Sequence, residues 1–400
     1  MTMNRRGLLA SGAAAFAMTL ASGRIALAQS ADEINILSVV PLTGPVAHTG
    51  QAEQLGWADA IDYINSTGGV AGRKLNVSVV DSEYKVDVGL AHWKRGLADG
   101  KYQFVKVDNT GLARAMAPEN NERYKMLVGM SATPSGLKDT AAYPHFFIPG
   151  SNYEDLMAVI LSWIGEQANG KKPRIALVYS ATEFGRDPIA LTKERIAGGD
   201  FELVLEDETP FTAVDVTANV IKIRNAKPDY VIFHGYAANV WPEMSRLIRE
   251  YGIDAQLIVT SYACDPHILK SVGESANGVI GCTQHTLAVG GSDQPVLKAI
   301  DAALKARDPA YDGLGSIGYI FSWANALIFR EAAAACINAG EELTGDNLIR
   351  AVQNIKDWDS GGVFPLPVTF RDNRVPSAVL YRFGVTPEKV TLEHIASVGI

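Results

Sequence analysis

Residues 34–80 read INILSVVPLTGPVAHTGQAEQLGWADAIDYINSTGGVAGRKLNVSVV. An apolar run at 34–40 passes through a Pro/Gly-punctuated loop into 51–65, where Leu55, Ala58, Ile61, Asp62 and Ile64 follow the 3.6-residue helical period imperfectly. The turn Gly68-Gly69-Val70-Ala71-Gly72 then leads to a second apolar run at 75–80. Strand, helix, turn and strand in this order are a βαβ unit, which requires a parallel sheet. The rhythm continues with a helix expected at 87–97, a strand at 104–107, a helix at 112–124 and a strand at 126–129.

Working outward, the proline-bearing stretch 143–150 breaks the alternation, which then restarts. Strands are expected at 174–179, 202–205, 230–234, 257–260 and 279–283, with helices at 188–196, 216–225, 241–251 and 268–272 between them. Helices at 294–307, 319–339 and 347–355 follow, and strands at 368–370 and 378–383 end the pattern. The fold class is α/β, two lobes each built on a mostly parallel sheet. In such sheets ligands sit beyond the carboxyl ends of the strands, so the cleft between the lobes is the expected site.

Composition narrows the function. The 400 residues carry 44 Asp+Glu against 36 Lys+Arg, with 47% hydrophobic and 20% charged, a globular composition and not that of a disordered chain. Arg5-Arg6 before Gly7-Leu8-Leu9, a short Ala-rich apolar stretch and Ala26-Leu27-Ala28 together read as an export signal cleaved after Ala28, of twin-arginine or Sec type. Losing Arg5, Arg6 and Arg24 takes the net charge from -8 to -11, which disfavours nucleic acid and anionic membranes as partners. No later segment reads as long and apolar enough to span a bilayer, so the mature chain is expected to be soluble and periplasmic. Cys264, Cys282 and Cys336 are an odd set, read as buried free thiols, with a Cys264 to Cys282 bridge the alternative.

Reactive chemistry does not assemble. Gly129-Met130-Ser131-Ala132-Thr133 ends in Thr where a nucleophile elbow needs Gly, and neither a dinucleotide fingerprint nor a phosphate loop occurs. The seven histidines lack metal-ligand spacing; His48 and His234 fall on cleft-facing loops. No cofactor, no metal and no enzymatic activity are expected. Neutral donors remain. Thr110 stands where a helix begins, and Ser131, Ala132 and Thr133 occupy the loop after the next strand, a set able to hold a carboxylate. The alternative is that Thr110 caps its helix and Ser131 and Thr133 shape a turn before Pro134.

Pro41-Leu42-Thr43-Gly44-Pro45-Val46-Ala47 with Gly50, Gly68 to Arg73, Ser131-Ala132-Thr133-Pro134, Phe184-Gly185-Arg186, Pro242-Glu243-Met244 and Val368-Thr369-Phe370 resemble the branched-chain amino-acid type of periplasmic solute-binding protein of ABC transporters. The resemblance covers about 34–383. It implies two Rossmann-like lobes joined by three hinge crossings, the type I periplasmic-binding-protein fold, with 32–149 and 286–362 in one lobe and 150–285 and 363–400 in the other. It also implies a small-molecule ligand, closure around it, and docking of the closed form on a membrane permease. Carried over by position, Thr110, Ser131, Ala132 and Thr133 match the carboxylate-binding set. Phe184 stands where the family often has Tyr, Thr49 where amino-acid binders often place an aromatic wall, and Ser261 near the acidic residue that holds the ligand ammonium. That last departure implies that Asp265, Asp108 or Glu183 substitutes, or that the ligand has no ammonium. Tyr236, Trp241 and Tyr319 are further candidates for aromatic cleft surface. The resulting expectation is delivery of a small carboxylate-bearing solute, an amino acid or an aromatic or aliphatic acid, to an ABC importer. A sensory module for amides or urea-like solutes and an enzyme on a small acid are the rivals.

Overall fold

A computed structural model describes residues 33–211, 215–236 and 240–400. The export signal expected at 1–28 lies outside these residues.

The first lobe is built on five parallel strands, β1 (Glu33–Val40), β2 (Lys74–Asp81), β3 (Tyr102–Val107), β4 (Leu127–Met130) and β5 (Phe146–Phe147), in the order β2-β1-β3-β4-β5. Helices α1 (Ala47–Ser66), α2 (Val86–Asp99) and α3 (Thr110–Glu119) make the crossovers. Ile34 and Ile36 of β1 join a core with Trp57 and Phe104, whereas Leu37 and Val39 join another with Trp93 and Leu112. Burial on both faces is why this strand reads as one apolar run and not as an alternation.

The second lobe continues with α4 (Tyr153–Gln167), β6 (Arg174–Ser180), α5 (Glu183–Arg186), α6 (Ile189–Gly198), β7 (Glu202–Thr209), α7 (Thr217–Ala226), β8 (Tyr230–His234), α8 (Val240–Glu250), β9 (Gln256–Thr260), α9 (Pro266–Val272) and β10 (Ile280–Thr283). Three helices follow, α10 (Pro295–Arg307), α11 (Ile317–Asn338) and α12 (Gly345–Gln353), and the chain ends with β11 (Ser377–Val385) and β12 (Val390–Gly399). The second sheet runs β12-β11-β10-β9-β8-β6-β7, parallel from β7 to β10 and antiparallel at β11 and β12.

Three local expectations change. β12 escapes the sequence pattern because most of this edge strand is exposed or half-buried and carries polar residues. Residues 368–370 form only an isolated bridge, Val368 to Trp358, in place of the expected strand. α11 is long and apolar enough to cross a membrane by length and composition, contrary to expectation, yet most of its side chains are buried against the rest of the protein. It is a core helix. Its contact with α1 is close: a Cβ on Gly56 would meet the Tyr319 carbonyl oxygen at 2.4 Å, and one on Gly318 the Thr49 carbonyl oxygen at 2.6 Å.

The three chain crossings between the lobes lie against one another. The Ile148 N–H donates to the Asn373 carbonyl at 2.7 Å, the Val375 N–H to the Gly150 carbonyl at 3.2 Å and the Thr286 N–H to the Val363 carbonyl at 3.0 Å. Residues 363–376 touch both lobes: Leu366 approaches Gly399, while Phe370 packs on Phe147 and Asn373 accepts from Gln353. His285 bonds the Pro149 carbonyl at 2.5 Å in this buried junction. The three cysteines are buried and free.

Two outcomes follow from this packing. Gly56→Ala places its methyl against backbone that cannot turn aside, and lowers stability by about 1 to 3 kcal/mol in urea denaturation. Burial pushes the His285 ring down to about 4 and the His234 ring down to about 3, so both stay neutral when folded. Unfolding lets them charge near pH 6.5; stability is therefore full above that value and is lost as pH falls. The pair lowers stability by about 2 kcal/mol between pH 6 and pH 5, and His285→Gln removes about half of that slope. Denaturation at the two pH values measures both.

Candidate functional site

α3 begins at Thr110, but the cap is Asn109, whose side chain accepts the Leu112 N–H at 2.9 Å. This resolves the capping alternative. The Thr110 hydroxyl is left buried, with no hydrogen-bond partner among the described residues, at the positive end of a ten-residue helix. On the next loop, the Ser131 N–H donates to the Val107 carbonyl at 3.1 Å, while its hydroxyl is buried without a well-formed hydrogen bond. Ala132 is buried beside it. Thr133 is engaged differently, because its hydroxyl accepts from Gln284 Nε2 at 3.1 Å and its carbonyl from the Tyr153 N–H at 3.0 Å. The loop 131–133 is thus fastened to the interlobe crossings.

The second lobe brings Ser261 from the end of β9. Its φ of 47° is left-handed, an uncommon state for a residue with a side chain, and its hydroxyl is buried without a hydrogen-bond partner among the described residues. Phe184, in the short helix α5 that follows β6, packs edge-on to Tyr153, Tyr236 and Tyr262 at 4.9, 5.0 and 5.7 Å between ring centres. Tyr236 meets Tyr84 of the first lobe hydroxyl to hydroxyl. Burial pushes the hydroxyl pKa values of Tyr84, Tyr153, Tyr236 and Tyr262 up, so these groups remain neutral donors.

Other candidates fall elsewhere. Thr49 packs on Gly318 of α11, and its hydroxyl meets His48 Nε2 at 3.2 Å. Trp241 stacks on Phe233 in the second-lobe core, and the Tyr319 hydroxyl donates to Asp59 at 2.7 Å, so neither supplies cleft surface. His234 sits between the Thr260 hydroxyl at 2.6 Å and the Phe184 carbonyl at 3.2 Å, where it positions the aromatic ring next to it. Of the three acids weighed as ammonium partners, Glu183 is exposed and paired with Arg114. Asp265 caps α9 and also accepts the Ile317 N–H at 2.8 Å. Asp108 is buried at the cleft and accepts the Tyr262 hydroxyl at 3.1 Å.

That last bond crosses between lobes, and it is not alone. Asp187 accepts from Arg114 Nη2 and from the Ser135 N–H, both at 2.7 Å and both across the gap. The lobes are closed on each other. Tyr84, Tyr153, Tyr262, Glu53 and Lys106 were not among the expected site residues. Tyr262 adjoins Ser261, a signal that could have found it; Glu53 and Lys106 read as ordinary polar positions on a helix and a strand.

Residues 33–386 match the periplasmic binding protein family. The chain is 24% identical over 299 residues to the Leu/Ile/Val-binding protein of Escherichia coli strain K12, covering 73% of this chain and 79% of that protein. It is 25% identical over 362 residues to the leucine-specific-binding protein of Salmonella typhimurium, covering 86% and 93%. Its fold is similar to a branched-chain amino acid ABC transporter protein from Thermus thermophilus with bound valine, at TM-score 0.80, 17% identity and 92% and 97% coverage. It is also similar to a solute-binding protein from Rhodopseudomonas palustris BisB5 in complex with 3,4-dihydroxy benzoic acid, at TM-score 0.76, 21% identity and 92% and 98% coverage. Two lobes, strand ends converging on one gap and a family match over most of the length lead to one statement: the chain belongs to the periplasmic binding protein family.

Proposed function

We propose that this protein captures a small carboxylate-bearing solute between its lobes and delivers it, unchanged, to the membrane permease of an ABC importer. It works outside the cytoplasm, exported by its twin-arginine or Sec-like leader, and the three crossings serve as its hinge. The observation that carries the reading is the set of buried hydroxyls at strand ends that lack a well-formed hydrogen bond among the described residues, Thr110 and Ser131 from one lobe and Ser261 from the other. An orphaned buried hydroxyl costs free energy, and a carboxylate taking two or three of them removes that cost.

A ring-bearing acid suits the second lobe better than an aliphatic amino acid. Phe184, Tyr236, Tyr262 and Tyr153 offer aromatic edges and faces, and Ser261 supplies no charge for an ammonium. The neighbour bound to 3,4-dihydroxy benzoic acid is consistent with such cargo, and the valine-bound neighbour represents the other choice.

A thermal-shift screen of benzoates, aliphatic amino acids and amides is expected to show the largest rise in melting temperature with the aromatic carboxylates. Thr110→Val combined with Ser131→Ala removes two charge-assisted hydrogen bonds and weakens the best carboxylate about a hundredfold by calorimetry. Unchanged affinity in that double variant refutes the assignment of these residues. Stabilisation by leucine or valine alone refutes the aromatic preference.

A further inference from the structure

Beneath Ser131, inside the first lobe, a basic and an acidic side chain are sealed from solvent. Lys106 of β3 and Glu53 of α1 are each 0% exposed, and the Lys106 ammonium donates to Glu53 Oε2. Strand register sets Ser38 of β1 beside Lys106, and Gly129 of β4 on its other side. Around this pair the Ser38 hydroxyl, Glu53 Oε1 and Asn325 Oδ1 are buried with no hydrogen-bond partner among the described residues. The Ser131 hydroxyl lies near enough to Glu53 to favour its charged form.

The charges here do not balance. Asp108, buried at the end of the same strand, also faces Lys106, so one ammonium serves two carboxyl groups in a dry site. Burial is the dominant effect on both acids: it pushes Glu53 up to about 8 against the pull of Lys106, and Asp108 upward as well. A buried ion pair whose remaining polar atoms are unsatisfied is a poor stabiliser, which argues that this one is kept for another purpose.

We propose that Lys106 is the counter-ion for the anionic group of the solute, and that Glu53 takes up a proton as that group docks at Thr110 and Ser131. This rests on reading the cleft as a carboxylate site and supplies the positive charge that its neutral hydroxyls lack. The groups that face Glu53 are Lys106 and Asp108 from β3 and its end, Ser131 from the loop after β4 and Tyr262 of the second lobe. α11 adds the uncharged Ser322, whose hydroxyl donates to the Glu53 carbonyl at 2.9 Å. Asp108 in turn faces His48 of α1 and Tyr262 of the second lobe. An anion beside Glu53 raises its affinity for a proton further, so docking binds a proton. Affinity for the anion is therefore greatest where Glu53 is already protonated, and falls as pH rises through 8.

Benzoate and benzamide share a shape and differ in charge, and benzoate is fully ionised at pH 7 and above. Calorimetry on the full chain is expected to show benzoate binding about tenfold weaker at pH 9 than at pH 7, with benzamide unchanged. Glu53→Gln, nearly isosteric, flattens the benzoate response, and Lys106→Met abolishes the preference for benzoate over benzamide. A wild-type benzoate affinity that is flat with pH, or a slope that survives in Glu53→Gln, overturns the proposal. If benzoate binds at no pH, the aromatic-acid reading of the cleft fails, and the pair is judged by itself. Carboxyl carbon resonances of glutamate-labelled protein, assigned by their loss in Glu53→Gln, then support it if Glu53 titrates near pH 8 and overturn it if Glu53 titrates in the usual carboxylate range.

Discussion

Parallel pairing is the constraint from which everything else descends. A parallel strand cannot be followed by its neighbour without a crossover, so every strand of the first sheet, and those from β6 to β10 in the second, release the chain at the same edge. Each lobe thereby gathers its loops on one rim. The rims face each other, so Asp108 meets Tyr262 and Tyr84 meets Tyr236 although about 150 residues separate the partners in sequence.

A gap lined in this way has an energetic character of its own. Backbone groups are satisfied by the sheets and helices, which leaves side-chain hydroxyls and aromatic edges as the adjustable inventory. Hydroxyls hold an anion without carrying charge, and they can be wetted when the lobes part. The ionisable groups lie deeper, in Lys106 and Glu53, where water cannot screen them. The site we propose is therefore layered, with neutral contacts at the surface of the cleft and an ionisable pair behind it.

Much of this was legible in the sequence because both faces of the strands are covered, and buried strands announce themselves as apolar runs. β1 is the clear case. β12 was lost for the opposite reason, since its exposed edge mixes Thr391, Glu393 and His394 with apolar residues. Within the site, Thr110 and the Ser131 loop could be named because they follow strand ends directly. Thr49 and Tyr319 sit on the two sides of the helix pair α1 and α11, and no local signal tells which face of a helix meets a cleft and which meets another helix. Glu53 was hidden likewise: its partner Lys106 lies 53 positions away, and only folding brings a helix acid over a strand lysine.

Asp187 illustrates what closure means for such a molecule. It is buried, its pKa is raised chiefly by that burial, and both of its donors belong to the opposite lobe. When the jaws separate, this carboxylate loses its partners and gains bulk hydration in the same movement. Wetting and drying this acid at the rim is then one term in the balance between a closed and an open molecule, beside the Tyr262–Asp108 and Tyr84–Tyr236 contacts. Evolution could retune how readily the molecule gapes by altering that single group, leaving the cargo contacts untouched.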